Sequence, residues 1–262
     1  MGKMTYSKLN GWIKGFVVAA LCAGAMSSRA EDMTETFDDG VYVYETDPYR
    51  MRGVKIIGCL LPAGTEFDEW NKPDVVTRED MPDDPLKGCY VVTRINPEAL
   101  QGLKIRKLNI DGYGCEFTCP DAEGVEDIDL RCGSIIAPYG FAGHKGLRKV
   151  KIHAYGCGSF AFQNASIETL ELLKDVSYIG TGAFDGCSVG TLIMLSKEPP
   201  VATPESFGVY EVTVPGMEGT ANRSAILENC QLMVPKGSTK NYRKAPGWSL
   251  FKNIKEHNFE QL

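Results

Sequence analysis

The sequence is poor in the residues and motifs that carry chemistry. It has three scattered histidines in 262 residues. It contains no H-E-x-x-H, no phosphate-binding glycine loop and no C-x-x-C pair. A net charge of −6 disfavours a partner with a phosphate backbone. We therefore predict no catalytic, cofactor-binding or metal-binding residues, no nucleic-acid partner and no enzymatic activity.

Long hydrophobic runs are missing beyond the N-terminus. Three lysines precede an apolar run at 16–26, which is too short to span a membrane as a stable helix. Ser28 and Ala30 occupy the −3 and −1 positions of a cleavage site, as in a secretory signal peptide. The residue before Cys22 is leucine, which disfavours lipoprotein anchoring. We expect residues 1–30 to be removed, and the mature chain, without a membrane span, to be secreted, periplasmic or on the outer cell surface.

The remaining charge is unevenly distributed. The leader holds four of the 28 basic residues and no acidic one, which leaves 24 basic against 34 acidic residues, a net charge of −10. Residues 31–90 carry 15 acidic and 6 basic residues, whereas residues 91–262 carry 19 and 18. This shift predicts a boundary near residue 90.

Residues 31–90 show strand patterns followed by a turn-rich tract. The stretches 41–44 and 54–57 are rich in Val, Ile and Tyr and are separated by Asp47-Pro48, which predicts a β-hairpin. Residues 66–87 are acidic and contain several prolines, which predicts a loop. We expect an N-terminal β cap; an independent binding module is the alternative.

A repeat of about 21 residues fills the next part of the chain. Seven short apolar triplets of the form L-x-L recur at spacings of 20 or 22 residues, beginning at Leu108, Ile128, Val150, Leu170, Leu192, Val212 and Leu232. Six of them have another apolar residue three positions earlier, which gives the unit L-x-x-L-x-L. Short strands of this kind bury their apolar face only by stacking on each other. The pattern predicts a mainly β fold, with a parallel β solenoid of about seven coils at 91–235.

A second motif accompanies the triplets and points to a family. The stretch 179–187 reads I-G-T-G-A-F-D-G-C, and Ala161-Phe162 and Ala183-Phe184 each precede their triplet by eight residues. With the L-x-x-L-x-L units, this pattern resembles the BspA-type leucine-rich repeats of Bacteroides-like bacteria. The second and sixth repeats lack the Ala-Phe pair and offer Phe117 and Phe207 out of phase. The resemblance implies a secreted or surface protein, and some family members are credited with binding host matrix proteins.

The C-terminal stretch also resembles the closing segment of such proteins, through residues 230–237, Tyr242, 245–248 and 251–254. We expect a C-terminal cap at 236–262. A stack of strands needs a lid, because its last strand would expose apolar side chains and an unpaired edge. Trp248, Leu250, Phe251 and Ile254 are candidates to pack on that end. Residues 238–244 predict a short helix with the serine as N-cap.

Eight cysteines remain after cleavage. Because several follow the repeat spacing, buried thiols are one interpretation. At least one disulfide, with Cys59–Cys89 as the pair to test first, is the other. Cys157 lies four residues from His153, which raises the possibility of an activated thiol, but a turn position facing the core is the favoured interpretation.

The residues between the apolar positions predict the outward face. The first four repeats alternate in charge: Arg106 and Lys107, then acidic residues at 126–129, then basic ones at 148–151, then Glu168 and Glu171. Such charges predict cross-strand ion pairs.

The later repeats are uncharged on this face, and Ile193, Tyr210, Thr213 and Met233 form a predicted partner-binding patch. Coverage by the C-terminal tail or a second copy is the alternative for this patch. The predicted function is a non-catalytic protein that binds a protein or glycan; the alternative is a self-associating component of a surface assembly.

Overall fold

The computed structural model describes residues 34–78, 80, 88–112, 118–212, 219–222 and 224–259. The protein is mainly β, and its largest sheet has eight strands, all of whose neighbours are parallel. In chain order these are β4 (Glu66–Asn71), β7 (Lys104–Gly112), β8 (Asp127–Cys132), β10 (Leu147–His153), β12 (Ser166–Leu172), β14 (Ser188–Met194), β17 (Gln231–Pro235) and β18 (Asn253–His257). Their spatial order follows the chain order, so the sheet is a ladder of successive strands.

Three smaller sheets complete the fold. The first has the order β1 (Thr36–Asp38), β2 (Tyr42–Thr46), β3 (Gly53–Cys59), β6 (Cys89–Ile95) and β5 (Val75–Thr77). The second is parallel and contains β9 (Ile135–Ile136), β11 (Gly156–Cys157) and β13 (Tyr178–Ile179). The third is the antiparallel pair β15 (Val209–Val212) and β16 (Gly219–Asn222). Two short α-helices, α1 (Ala225–Asn229) and α2 (Thr239–Lys244), and 3-10 turns at Pro97–Leu100, Pro204–Phe207 and Trp248–Leu250 lie between strands.

One continuous column of apolar side chains runs through the ladder. Its members occupy neighbouring register positions: Trp70, Leu108, Ile128, Val150, Leu170, Leu192, Leu232 and Ile254. All but the last are at most 2% exposed. The predicted alignment of the apolar triplets is thus confirmed for six of the seven. Stacking removes each short strand's apolar face from water, which no single repeat can do.

A stack of phenylalanine rings lines the opposite side of the core. Phe141, Phe162, Phe184 and Phe207 follow one another with ring centroids 5.0, 5.3 and 5.6 Å apart and nearly parallel planes. All four are fully buried. The repeated Ala-Phe motif therefore fills the core between the two parallel sheets. Phe207, which the sequence places out of phase, lies in the stack, whereas Phe117 lies outside the described residues.

Val212, the described residue of the sixth triplet, does not lie in the ladder, and the expectation of seven consecutive coils is wrong here. β14 pairs directly with β17, while β15 pairs antiparallel with β16. Val212 follows Phe207 by five residues, whereas eight residues separate the phenylalanine from the triplet in the regular repeats. The shorter segment cannot turn the corner from the phenylalanine stack to the ladder, so the chain forms a hairpin and α1 before β17.

The N-terminal segment confirms the hairpin and corrects the predicted loop. β2 and β3 pair antiparallel. The tract expected to be a loop contains β5 and β4, and β4 is the first strand of the ladder. Its Trp70 is 2% exposed and donates a hydrogen bond from Nε1 to the Tyr42 hydroxyl, 2.7 Å away. This contact ties the small sheet to the ladder. Residues 81–87 lie outside the described part of the chain.

The C-terminal segment covers the last coil. Trp248 and Phe251 are fully buried and contact Phe207 edge-on, with ring centroids 5.0 and 5.1 Å away. Leu250 does not pack there as expected, because it is 41% exposed. Ser238 is the N-cap residue of α2, as predicted, but its side chain bonds the Pro235 carbonyl rather than capping the helix.

No disulfide joins the cysteines that the structure describes, which are Cys59, Cys89, Cys119, Cys132, Cys157, Cys187 and Cys230. Cys59 and Cys89, the pair proposed for a disulfide, lie at opposite ends of the neighbouring parallel strands β3 and β6. Gly53 is paired with Val91, so Cys59 and Cys89 are offset by eight strand positions, about 26 Å. A disulfide requires Cα atoms within about 7 Å, so this pair cannot form one.

The predicted signal peptide at 1–30 lies outside the described residues. Within the described ranges, no helix has the length and apolar character needed to cross a membrane.

Candidate functional site

The outward face of the ladder carries a network of ion pairs across its first five strands. Side chains alternate between the two faces of a strand, so the residues directly before and directly after each member of the buried column point outward. In the register, Glu69, Lys107, Asp127 and Lys149 lie side by side. The charges therefore alternate from strand to strand, as the sequence predicted, and β4 adds an acidic strand at the N-terminal edge.

Asp127 is the centre of this network. Its Oδ2 accepts hydrogen bonds from Arg106, 3.4 Å away, and from Arg148. Arg106 also donates to Asp68 at 2.6 Å, and this contact lowers the pKa of the Asp68 carboxyl. Lys107 lies 3.2 Å from Glu69 and lowers its pKa in the same way. These charges already have partners within the chain, which favours a structural role over ligand binding.

The last strands present apolar side chains in a second outward row, which lies one position after the buried column. In this row Glu171 is paired with Ile193 and Ile193 with Met233, and Lys255 follows. Ile193 and Met233 are half-buried. The patch is bounded by Glu171 on one side and Lys255 on the other.

Two leucines that the sequence analysis missed extend this patch. Leu173 and Leu195 directly follow β12 and β14, and their amides continue the ladder by bonding the Ile152 and Leu172 carbonyls at 3.0 and 3.1 Å. Both leucines are half-buried. A leucine directly after the fourth and the fifth L-x-L triplets was the signal for them. We call Leu173, Ile193, Leu195 and Met233 the apolar patch.

The other two predicted site residues are not placed in this row. Tyr210 is half-buried on β15, where it pairs with Ala221 in the separate antiparallel sheet. Thr213 lies outside the described residues. The structure therefore brings together Ile193 and Met233, and it removes the reason for grouping Tyr210 with them, because β15 is not a ladder strand.

The thiol and imidazole groups considered for chemistry are parts of the core. Cys157 is fully buried, and burial raises the pKa of its thiol to about 12. His153 has a lowered pKa because it is partly buried, with Arg131 adding to the effect. A protonated, buried thiol is a poor nucleophile. Among the described residues, no group of three His, Cys, Asp or Glu side chains is arranged to hold a metal ion.

Comparison with known proteins gave no relative. No protein-family model, no curated protein and no solved structure matches this chain.

Proposed function

We propose that this chain is a secreted or surface-displayed, non-catalytic binding protein, built as a leucine-rich-repeat parallel β solenoid of the BspA type. In this proposal the apolar patch binds a protein partner. The architecture is supported by the repeat, the parallel ladder and the phenylalanine stack, and secretion by the leader pattern at 1–30.

The observation that carries the binding proposal is the change of character along one outward row. The row is polar or charged through its first five strands, and it includes an ion pair between Lys151 and Glu171. It then becomes apolar at the neighbouring residues Ile193 and Met233. Neither residue is needed to fill the core, because the inward positions beside them, Leu192 and Leu232, already do so. Contiguous apolar side chains on an otherwise charged surface are typical of protein contacts.

The rim of the patch fits a protein partner as well. Thr191 and Gln231 are register neighbours beside the patch, and both are half-buried and uncharged. Aliphatic side chains with a polar, uncharged border match the anatomy of protein interfaces, in which charge is depleted at the centre.

The test is binding of the mature protein to purified host matrix proteins and mucin on a biosensor. Ile193→Asp and Met233→Glu should each weaken binding about tenfold or more, since a charge is placed where apolar surface is buried. Ser188→Asp is the matched control, because it adds the same charge to β14 about 16 Å from Ile193. It should bind like the wild type.

Unchanged binding by both patch variants would overturn the proposal. Light scattering at several concentrations separates the alternative of self-association: a dimer that dissociates on Ile193→Asp would assign the patch to a second copy of the chain instead.

A further inference from the structure

A second surface of the molecule carries an aromatic pair that the core does not require. Tyr139 and Phe160 lie in the turns after β9 and β11, and their rings stack with centroids 5.3 Å apart and planes 11° apart. Tyr139 is 54% exposed and Phe160 is half-buried. The pair is separate from the buried phenylalanine stack, which begins two residues further along each turn.

The two aromatic residues occupy equivalent positions of successive turns. The Tyr139 amide bonds the Ser159 carbonyl, and the Phe160 amide bonds the Thr181 carbonyl. The next equivalent position is Gly182, where an added Cβ would lie 2.2 Å from the Phe160 ring. Phe160 therefore lies over Gly182, and the partly exposed Tyr139 lies over Phe160.

The backbone at these positions favours glycine. The φ angles of Tyr139, Phe160 and Gly182 are 62°, 59° and 65°, in the left-handed region that bulky L-residues seldom adopt. The third turn shows that glycine satisfies the same turn. Aromatic residues held in this strained conformation at the surface point to a function beyond folding.

The segments that carry the pair are themselves uncharged, and Lys145 and Asp185 contact them at Asn164 and Gln163. The segments 133–143, 154–166 and 176–184 contain no Asp, Glu, Lys or Arg. They offer hydroxyl and amide groups instead, among them the exposed Thr181 and Asn164. This composition contrasts with the ion-paired ladder face.

We infer that the aromatic pair is a binding platform for a neutral glycan. The face of an aromatic ring carries negative partial charge and attracts the weakly positive C–H groups on the flat side of a sugar ring. Neutral hydroxyl and amide groups exchange hydrogen bonds with sugar hydroxyls. A phosphorylated or sulfated ligand would require cationic partners, which these segments lack.

The test uses the mature protein and soluble neutral polysaccharides: a β-glucan, an α-mannan and a galactan, with heparin as the charged comparison. Affinity electrophoresis should show retardation by at least one neutral polysaccharide and none by heparin. Tyr139→Gly should weaken this binding about tenfold. Because it installs the residue that the third turn already has, it should fold normally.

Two further variants complete the design. Phe160→Gly, which removes the support beneath Tyr139, should also weaken binding. Tyr49→Ser, at a tyrosine that is 92% exposed in the turn between β2 and β3, should leave it unchanged. Ile193→Asp should likewise leave it unchanged, which separates this inference from the proposed protein-binding patch. Failure of all neutral polysaccharides to bind, wild-type binding by Tyr139→Gly, or loss only of a protein ligand on that change would each overturn the inference.

Discussion

Removal of one ring from the phenylalanine stack is the sharpest test of how the fold is held together. Phe162 is fully buried, with Phe141 and Phe184 stacked on its two faces at 5.0 and 5.3 Å. Truncation of a buried phenylalanine costs about 3–5 kcal/mol. Because both faces also lose an aromatic partner, worth about 0.5–1.5 kcal/mol each, we expect Phe162→Ala to lower the free energy of unfolding by about 4–5 kcal/mol.

The control removes a ring of the same size from the same turn. Phe160→Gly loses one stacking contact and part of the buried area, but it releases left-handed strain of about 1–2 kcal/mol. The net change in unfolding free energy should stay within about 1.5 kcal/mol.

Urea unfolding followed by far-UV circular dichroism and by fluorescence of the buried Trp70 and Trp248 measures both variants. A loss below about 2 kcal/mol for Phe162→Ala, or equal losses for the two variants, would refute a core organised around this stack.

Three further predictions follow from backbone packing, charge and burial. Gly180→Ala should cost about 2–3 kcal/mol in unfolding free energy, because its Cβ would lie 2.8 Å from backbone atoms of Gly158, whereas Gly143→Ala, in open space, should cost only about 1 kcal/mol from its positive φ. Backbone N–H groups of the α2 turn lower the pKa of the Glu256 carboxyl. The stabilisation of the fold by this carboxylate is therefore present above the unfolded pKa of 4.5 and is lost as the pH falls through the folded pKa. In Glu256→Gln, the melting temperature should fall less steeply below pH 4.5 than in the wild type. Cys157 should resist alkylation at pH 8 in the folded protein and react in urea, as mass spectrometry would show, because its pKa is about 12.

The ladder was predictable because the period of the apolar residues directly encodes its register. Leu108, Ile128, Val150 and Leu170 lie in one column since each repeat returns the chain to the same face after one coil. The alternation of charge between these strands was also visible, because residues at matching positions of neighbouring coils become lateral neighbours.

The false sixth coil shows the limit of a spacing argument. Leu192 and Leu232 are paired although 40 residues separate them, nearly twice one repeat length. Val212 lies midway between these two leucines in the sequence. The described residues around it belong to the β15–β16 hairpin and to α1, and not to a ladder strand. The number of residues between Phe207 and Val212 would have revealed the error. It shows whether the chain is long enough to cross from the phenylalanine stack to the ladder.

The first ladder strand escaped prediction for a related reason. β4 contains Phe67 and Trp70 at the L-x-x-L spacing, but acidic residues occupy most of its other positions, and the pattern of an acidic loop dominates the sequence. Those acidic residues are the partners of Lys104, Arg106 and Lys107. The strand is stabilised by charges that are visible only once its neighbour is known.

The apolar patch was only partly predictable. Ile193 and Met233 follow from the alternation of inward and outward side chains along each strand. Tyr210 was grouped with them only because the sixth triplet was expected to form a ladder strand. Leu173 and Leu195 were overlooked because they lie just beyond the repeated triplet. The alternation of inward and outward side chains continues for one residue past the end of each strand.

The C-terminal edge bears on the choice between a binding protein and a self-associating one. β18 is the last strand of the ladder, and its Glu256 stands opposite the buried Val234, at a position where the repeat otherwise places an apolar residue. The Thr239 amide donates a hydrogen bond to this carboxylate at 3.2 Å. A second copy that extended the ladder would have to desolvate this charge or break its hydrogen bonds to the α2 turn, and a charged residue at an inward position is a known barrier to edge pairing. Growth by addition of strands is therefore disfavoured at this end of the ladder.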